Sequence, residues 1–174
     1  MLHFRRKNYI SNFIFITFTK NNRSFLLHRI VMDSEIRKYC KHILKVHIEV
    51  LRHDRQKGVW YWDYPAAASI CYSSQKGKQI KHRGYSHSPK GTKWHHILRK
   101  KMEKIGEIGK PPYKRETKNI IGNCAEQHAG NNLMRKYKIN ELNTLSFSYA
   151  VRPRTMEIIP ACHNCKSIFP IFNL

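Results

Sequence analysis

The stretch that decides the fold is Gly122-Asn123-Cys124-Ala125-Glu126-Gln127-His128, read together with Pro160-Ala161-Cys162-His163-Asn164-Cys165. The first segment offers a thiol and, two residues on, a carboxylate. The second offers two thiols at i, i+3, which places both sulfurs on one side of a helical turn. Gly122 and Asn123 precede an apolar-periodic run (Ala125, Ala129, Leu133, Met134), so a helix is expected from Cys124 to about Tyr137 with Asn123 as its N-cap. Cys124 then lies in the first turn of one helix, and the Cys162–Cys165 pair at the start of another. Helix N-termini favour thiolates. Three thiolates can hold zinc and leave its fourth position to water, whose pKa falls toward neutrality. Glu126, beside the metal but not a ligand, is placed to shuttle the proton.

Working outward, Leu145 to Val151 alternates β-formers and reads as a strand between the two helices. Upstream, Ala66–Ser73 and Lys78–Tyr85 flank a Gln75-Lys76-Gly77 turn and read as a β-hairpin, with Ala66, Ala67, Ala68 and Ser69 small enough for close helix approach. Trp94, Ile97, Leu98 and Met102 predict a helix over Thr92–Ile105. Ile36, Tyr39, Cys40, Ile43 and Leu44 begin an amphipathic pattern that continues to about Arg55 and is capped by Asp33 or Ser34. The aromatic cluster Trp60-Tyr61-Trp62-Asp63-Tyr64 reads either as a base-stacking platform or as a hydrophobic plug at a sheet edge.

Cys124-Ala125-Glu126 and Pro160-Ala161-Cys162-His163-Asn164-Cys165 resemble the two zinc motifs of the cytidine deaminase superfamily, in the three-cysteine form of free-nucleoside deaminases and of many bacterial polymorphic-toxin deaminases. The order of elements (hairpin, C-x-E helix, strand, C-x-x-C helix) is similar as well, over about Pro65 to Cys165. The resemblance implies an α/β, three-layer cytidine deaminase-like fold, a mixed sheet with zinc-bearing helices. It implies Zn2+ on Cys124, Cys162 and Cys165, with Glu126 as the catalytic proton carrier. The substrate it implies is cytosine, converted to uracil. The sequence departs from the family pattern where Ala161 separates Pro160 from Cys162. Only nine residues, Pro170 among them, follow Cys165, so a shortened C-terminal part of the fold is expected.

The 33 Lys+Arg against 11 Asp+Glu give a net charge of +22, which suits a polyanion, either nucleic acid or an anionic membrane surface. Residues 81–101 are rich in bases and contain no acid. Lys81, His82, Arg83, Lys93, Trp94 and His95 are the candidate substrate-binding residues there. Single-stranded DNA or RNA is the expected partner, with free cytidine the alternative substrate. Two readings compete with the enzyme. His128, four residues after Cys124, would close a structural Cys3His zinc site in a nucleic-acid-binding module. Trp94-His95-His96 would instead serve a His-based metal nuclease.

Two domain segments are expected: a basic N-terminal extension over residues 1–32, and the deaminase-like domain over residues 33–174. The extension holds six bases and no acid, and it reads as a targeting segment or as residues ahead of a start at Met32. Its apolar run, Ile10–Phe18, falls short of the ~20 residues of a membrane span, so no transmembrane segment is expected. An odd count of five cysteines is a poor disulfide framework. Ligand thiols point to a reducing cytoplasm or nucleus, with organelle import or secretion the outcomes a basic leader would bring.

Overall fold

The computed structural model describes residues 34–45, 65–75, 77–114 and 119–173. The predicted extension over residues 1–32, the helical pattern beyond residue 45 and the aromatic cluster at residues 60–64 lie outside them. Strands β1 (Ala68–Gln75) and β2 (Lys78–Tyr85) form the predicted hairpin, paired antiparallel from Ala68 opposite Tyr85 to Gln75 opposite Lys78. Gly77 takes the positive φ (74°) that the turn needs. On its other edge β1 meets β3 (Ser146–Phe147) and β4 (Ala150–Val151), and β5 (Ile158–Ile159) pairs with β4.

The strand expected over residues 145–151 is therefore divided. Ser148 bridges the gap: its N–H donates to the Ile70 carbonyl and its Oγ accepts from the Ile70 N–H, both at 2.9 Å. One hydroxyl does the work of a missing ladder carbonyl, which lets the strand bulge without leaving β1 unpaired. β5 falls between the expected strand and Pro160, where the sequence pattern predicts no strand. Every described pairing is antiparallel, which corrects the expected mixed sheet. The reason is local. Residues 152–157 make a tight return, with Arg152 N–H on Glu157 O at 2.8 Å and Met156 N–H on Arg152 O at 2.9 Å, and parallel neighbours need a far longer crossover.

β1 is buried on both faces, and its alternation assigns each face a partner. Ala68, Ile70 and Tyr72 pack with Ile36, Tyr39 and Cys40 of α1 (residues 34–45) and with Val151. Cys71 belongs to the opposite cluster, with Leu98 and Met102 of α2 (His96–Ile105), and Ala129, Leu133 and Met134 of α3 (Ala125–Tyr137). Cys165 and Ile168 of α4 (His163–Ile168) complete that cluster together with Phe169. The protein is thus α/β, with helices against both faces of an open antiparallel sheet. No helix among the described residues is long and apolar enough to cross a membrane.

α3 lies unusually close to the hairpin because β2 offers it a glycine. A Cβ on Gly84 would fall 2.2 Å from the Ala129 nitrogen and 2.6 Å from the Ala125 carbonyl oxygen. α2 starts at His96, four residues later than the apolar spacing predicts. Buried Asn131 of α3 explains the delay: its Oδ1 accepts from the His95 N–H at 2.7 Å and its Nδ2 donates to the Lys93 carbonyl at 3.2 Å. Those two bonds hold residues 93–95 extended. After α4 the chain closes in a 3-10 turn, Pro170–Asn173, whose Phe172 ring packs with Phe147 and Phe169.

Candidate metal centre

Both thiol-bearing segments end up at helix starts, the first with its cap one residue later than the expected Asn123. Cys124 itself is the N-cap of α3 (φ −76°, ψ 144°) and Cys162 the N-cap of α4 (φ −73°, ψ 165°). Neither side chain caps its own helix, so both sulfurs are available to something else. Asn123, expected as the cap, instead precedes it. Gly122 supports this entry with a positive φ (88°), and its N–H donates to the buried Gln127 Oε1 at 2.7 Å. Asn164 of α4 donates to the Asn119 carbonyl at 2.8 Å, tying the segment ahead of α3 to the second thiol helix.

The sulfurs of Cys124, Cys162 and Cys165 all lie within 4.8 Å of one another, and Cys124 Sγ stands 3.3 Å from Cys162 Sγ. Cys165 is fully buried and the other two are half-buried. Four-coordinate zinc about 2.3 Å from each sulfur would set them roughly 3.8 Å apart. The set therefore fits zinc with only a small adjustment. The thiols are already electrostatically linked. Hydrogen bonds from Cys124 first, then Cys165, hold Cys162 far below the usual thiol range, and the same sharing pushes Cys124 and Cys165 upward. A divalent cation among the sulfurs would favour the thiolate form of all three.

Glu126 is 5 % exposed and lies outside the sulfur set. Burial pushes its carboxyl up to about 7, assisted by the nearby Cys162 charge, while its own backbone N–H and the Cys165 thiol pull the other way. A cavity of about 320 Å³ opens beside it. Cys124, Glu126 and Cys162 line one part, and Asn119, Asn123 and Arg152 supply the other strongly polar groups. Ala66, Ala67, Ala125 and Ala150 give it small apolar walls.

The structure thus brings Cys124, Glu126, Cys162 and Cys165 together and places the remaining predicted residues elsewhere. His128 is on α3 but turned away: its Nε2 is 3.1 Å from the His87 carbonyl and its ring stacks on His87 at 3.6 Å. The His128 N–H does bond to the Cys124 carbonyl at 3.2 Å, but its ring is engaged with His87 and not gathered with the three sulfurs. Lys81 pairs with Glu35 of α1, and the Arg83 guanidinium lies 5.1 Å from the Tyr39 ring centre. His82 sits opposite Cys71, its Nδ1 near the Arg83 carbonyl. Trp94 packs 5.1 Å from the His128 ring, and Lys93 and His95 belong to the segment that Asn131 holds.

None of those six basic-block residues lines the cavity. His95 and His96 rings lie 4.5 Å apart, but among the described residues only the three cysteines gather as a metal set. Sequence reasoning missed Asn119, Asn123 and Arg152 as cavity residues. Asn123 was legible from its place beside Cys124. Arg152 lies just past the strand expected over residues 145–151, and the β4–β5 turn brings it to the cavity. No protein-family model, curated protein or solved structure matches the chain.

Proposed function

We propose that the protein is a zinc-dependent hydrolytic deaminase of a nucleobase, acting on cytosine in single-stranded DNA or RNA. The observation that carries this reading is the position of Glu126. It is buried two residues from Cys124, outside the sulfur set, on the wall of a cavity that Cys124 and Cys162 also line. A purely structural zinc clip requires neither a buried acid nor a cavity. The helices on both faces of the sheet, two of them delivering the thiols, agree with the cytidine deaminase-like, three-layer arrangement that the motifs resemble.

Zinc bound by the three sulfurs would supply a water acidified toward neutrality in its open coordination position. Glu126 would carry the proton, from the attacking water to the ring nitrogen of the base and on to the departing ammonia. Water adds an oxygen where the amine leaves, so cytosine becomes uracil with one ammonia released. Asn119 and Asn123 offer polar edges to the base, and the alanine walls accept its flat faces. The net charge of +22 favours a base carried on a polyanion over a free nucleoside.

The Cys3His module is the weaker reading because the His128 ring is engaged with His87. The nuclease reading lacks a third ligand beside His95 and His96 among the described residues. Incubation of the zinc-loaded protein with single-stranded DNA, RNA and free cytidine tests the proposal, with C-to-T changes read by sequencing and ammonia measured in parallel. Conversion of strand cytosines, abolished in Glu126→Gln, is the expected result. Tight binding of strands without conversion would replace the enzyme with a binding module.

A further inference from the structure

Among the described residues that line the cavity beside Glu126, Arg152 is the one Lys or Arg. Three thiolates around a divalent cation carry a net negative charge, and Glu126 adds to it when ionised. A substrate bearing a phosphate would be repelled from such a pocket unless a cation met it. Arg152 is built to do so. It leaves β4 at the start of the tight turn to β5, and its backbone is held at both ends: the N–H by the Glu157 carbonyl at 2.8 Å, and the C=O by the Met156 N–H at 2.9 Å. Met156 adopts a left-handed φ of 59° to close this turn, a conformation costly for a side chain of its size and kept here by the two bonds.

The side chain is tethered as well as the backbone. Its Nε lies 3.0 Å from Glu157 Oε2, and no other ion pair to it is formed among the described residues. The pair is exposed on both sides, and exposed pairs contribute little, so the guanidinium is not committed to Glu157. Pairing through Nε leaves the Nη groups of the planar guanidinium for two oxygens of a tetrahedral phosphate.

We infer that Arg152 binds the phosphate attached to the nucleoside whose base enters the cavity, and that it selects phosphorylated substrates over free nucleosides. The inference rests on the deaminase reading above and adds to it the residue that reads the sugar–phosphate. The phosphate can belong to a free nucleotide or to a strand. In either case Arg152 meets the same ester, while the alanine walls and Glu126 meet the base.

The test uses zinc-loaded protein carrying Glu126→Gln, which binds without turnover, with and without Arg152→Ala or Arg152→Lys. Binding of cytidine, cytidine monophosphate and a short cytidine-containing single strand is measured by calorimetry, and zinc content by atomic absorption. The phosphorylated ligands should bind roughly 10- to 100-fold more tightly than cytidine, the range of one charge-assisted contact. Arg152→Ala should erase that preference while cytidine affinity and zinc content stay unchanged, and Arg152→Lys should restore part of it. A free-nucleotide substrate would show the whole preference in the monophosphate, and a strand substrate would show more of it in the oligonucleotide. An undiminished preference in Arg152→Ala overturns the inference and leaves the deaminase reading standing. Failure of every cytidine compound to bind overturns both.

Discussion

Replacing Gly84 by alanine tests how the hairpin carries the thiol helix. The added Cβ would lie 2.2 Å from Ala129 N, 2.6 Å from Ala125 O and 2.7 Å from Ala129 Cα. All three atoms are helix backbone, so no side chain can swing away to make room. Bringing the shortest contact to an ordinary 3.4 Å asks α3 to withdraw by about 1.2 Å from β2. That retreat opens the Cys71–Ala129–Leu133 packing and moves Cys124 and Glu126 with the helix. Overpacking of cores costs about 1–3 kcal/mol, and a backbone-on-backbone clash belongs at or above the top of that range. Out of a total of about 5–15 kcal/mol this is a large fraction.

Guanidinium denaturation supplies the measurement, with an unchanged slope and a lowered midpoint expected. Gly77→Ala is the control. Its Cβ would meet nothing within 4 Å, so only the left-handed conformation (φ 74°) resists it, at about 1–2 kcal/mol. A Gly84→Ala protein within 0.5 kcal/mol of the parent, or less destabilised than Gly77→Ala, would refute the close approach of β2 and α3.

Three further outcomes follow from the packing. Ser148→Ala removes the acceptor of the buried Ile70 N–H and should cost about 1–3 kcal/mol in the same denaturation assay; Ser148→Thr should recover much of it. Asn131→Ala releases both the His95 N–H and the Lys93 carbonyl, so residues 93–95 should become the first site of limited proteolysis, with Asn131→Asp restoring only the His95 bond. Burial, with the stacked His87 second, depresses His128 to about 4 from 6.5. The unfolded chain then binds the extra proton between those values, so stability should fall by up to about 3 kcal/mol as pH drops from about 6.5 to about 4. Removing His128 as His128→Gln should flatten that part of the pH profile in metal-free protein; an unaltered profile would show that other groups govern it.

The parts of the fold that were legible in the sequence are those governed by local pattern. Gly77 between two alternating runs gives the hairpin, and the periodic apolar residues after Cys124 give α3, whose C-terminal bound at Tyr137 agrees. The thiol-bearing segments could be paired because the chemistry of a metal needs them together, whatever lies between. What escaped was set by single long-range bonds. Asn131 shortens α2 from the far side of the core, and the Ser148 hydroxyl divides a strand that its alternation shows as continuous.

The basic block shows the limit of reading charge along the chain. Lys81 and Arg83 look like phosphate contacts in sequence, yet strand alternation turns them onto α1, where Glu35 and Tyr39 meet them. Arg152 looks like one loop residue among several, and a two-strand turn carries it to the cavity. His128 has ligand spacing from Cys124 in the sequence, yet its ring stacks on His87 and its Nε2 lies 3.1 Å from the His87 carbonyl.

Native mass spectrometry of zinc stoichiometry tests the central claim most directly, applied to the parent protein and to Cys162→Ala, Glu126→Gln and His128→Ala side by side. Three sulfurs holding the metal, with an unligated acid beside it, predict one zinc per chain in the parent, in Glu126→Gln and in His128→Ala, and none in Cys162→Ala. Loss of zinc on replacing His128, or its absence from the parent protein, would contradict the account.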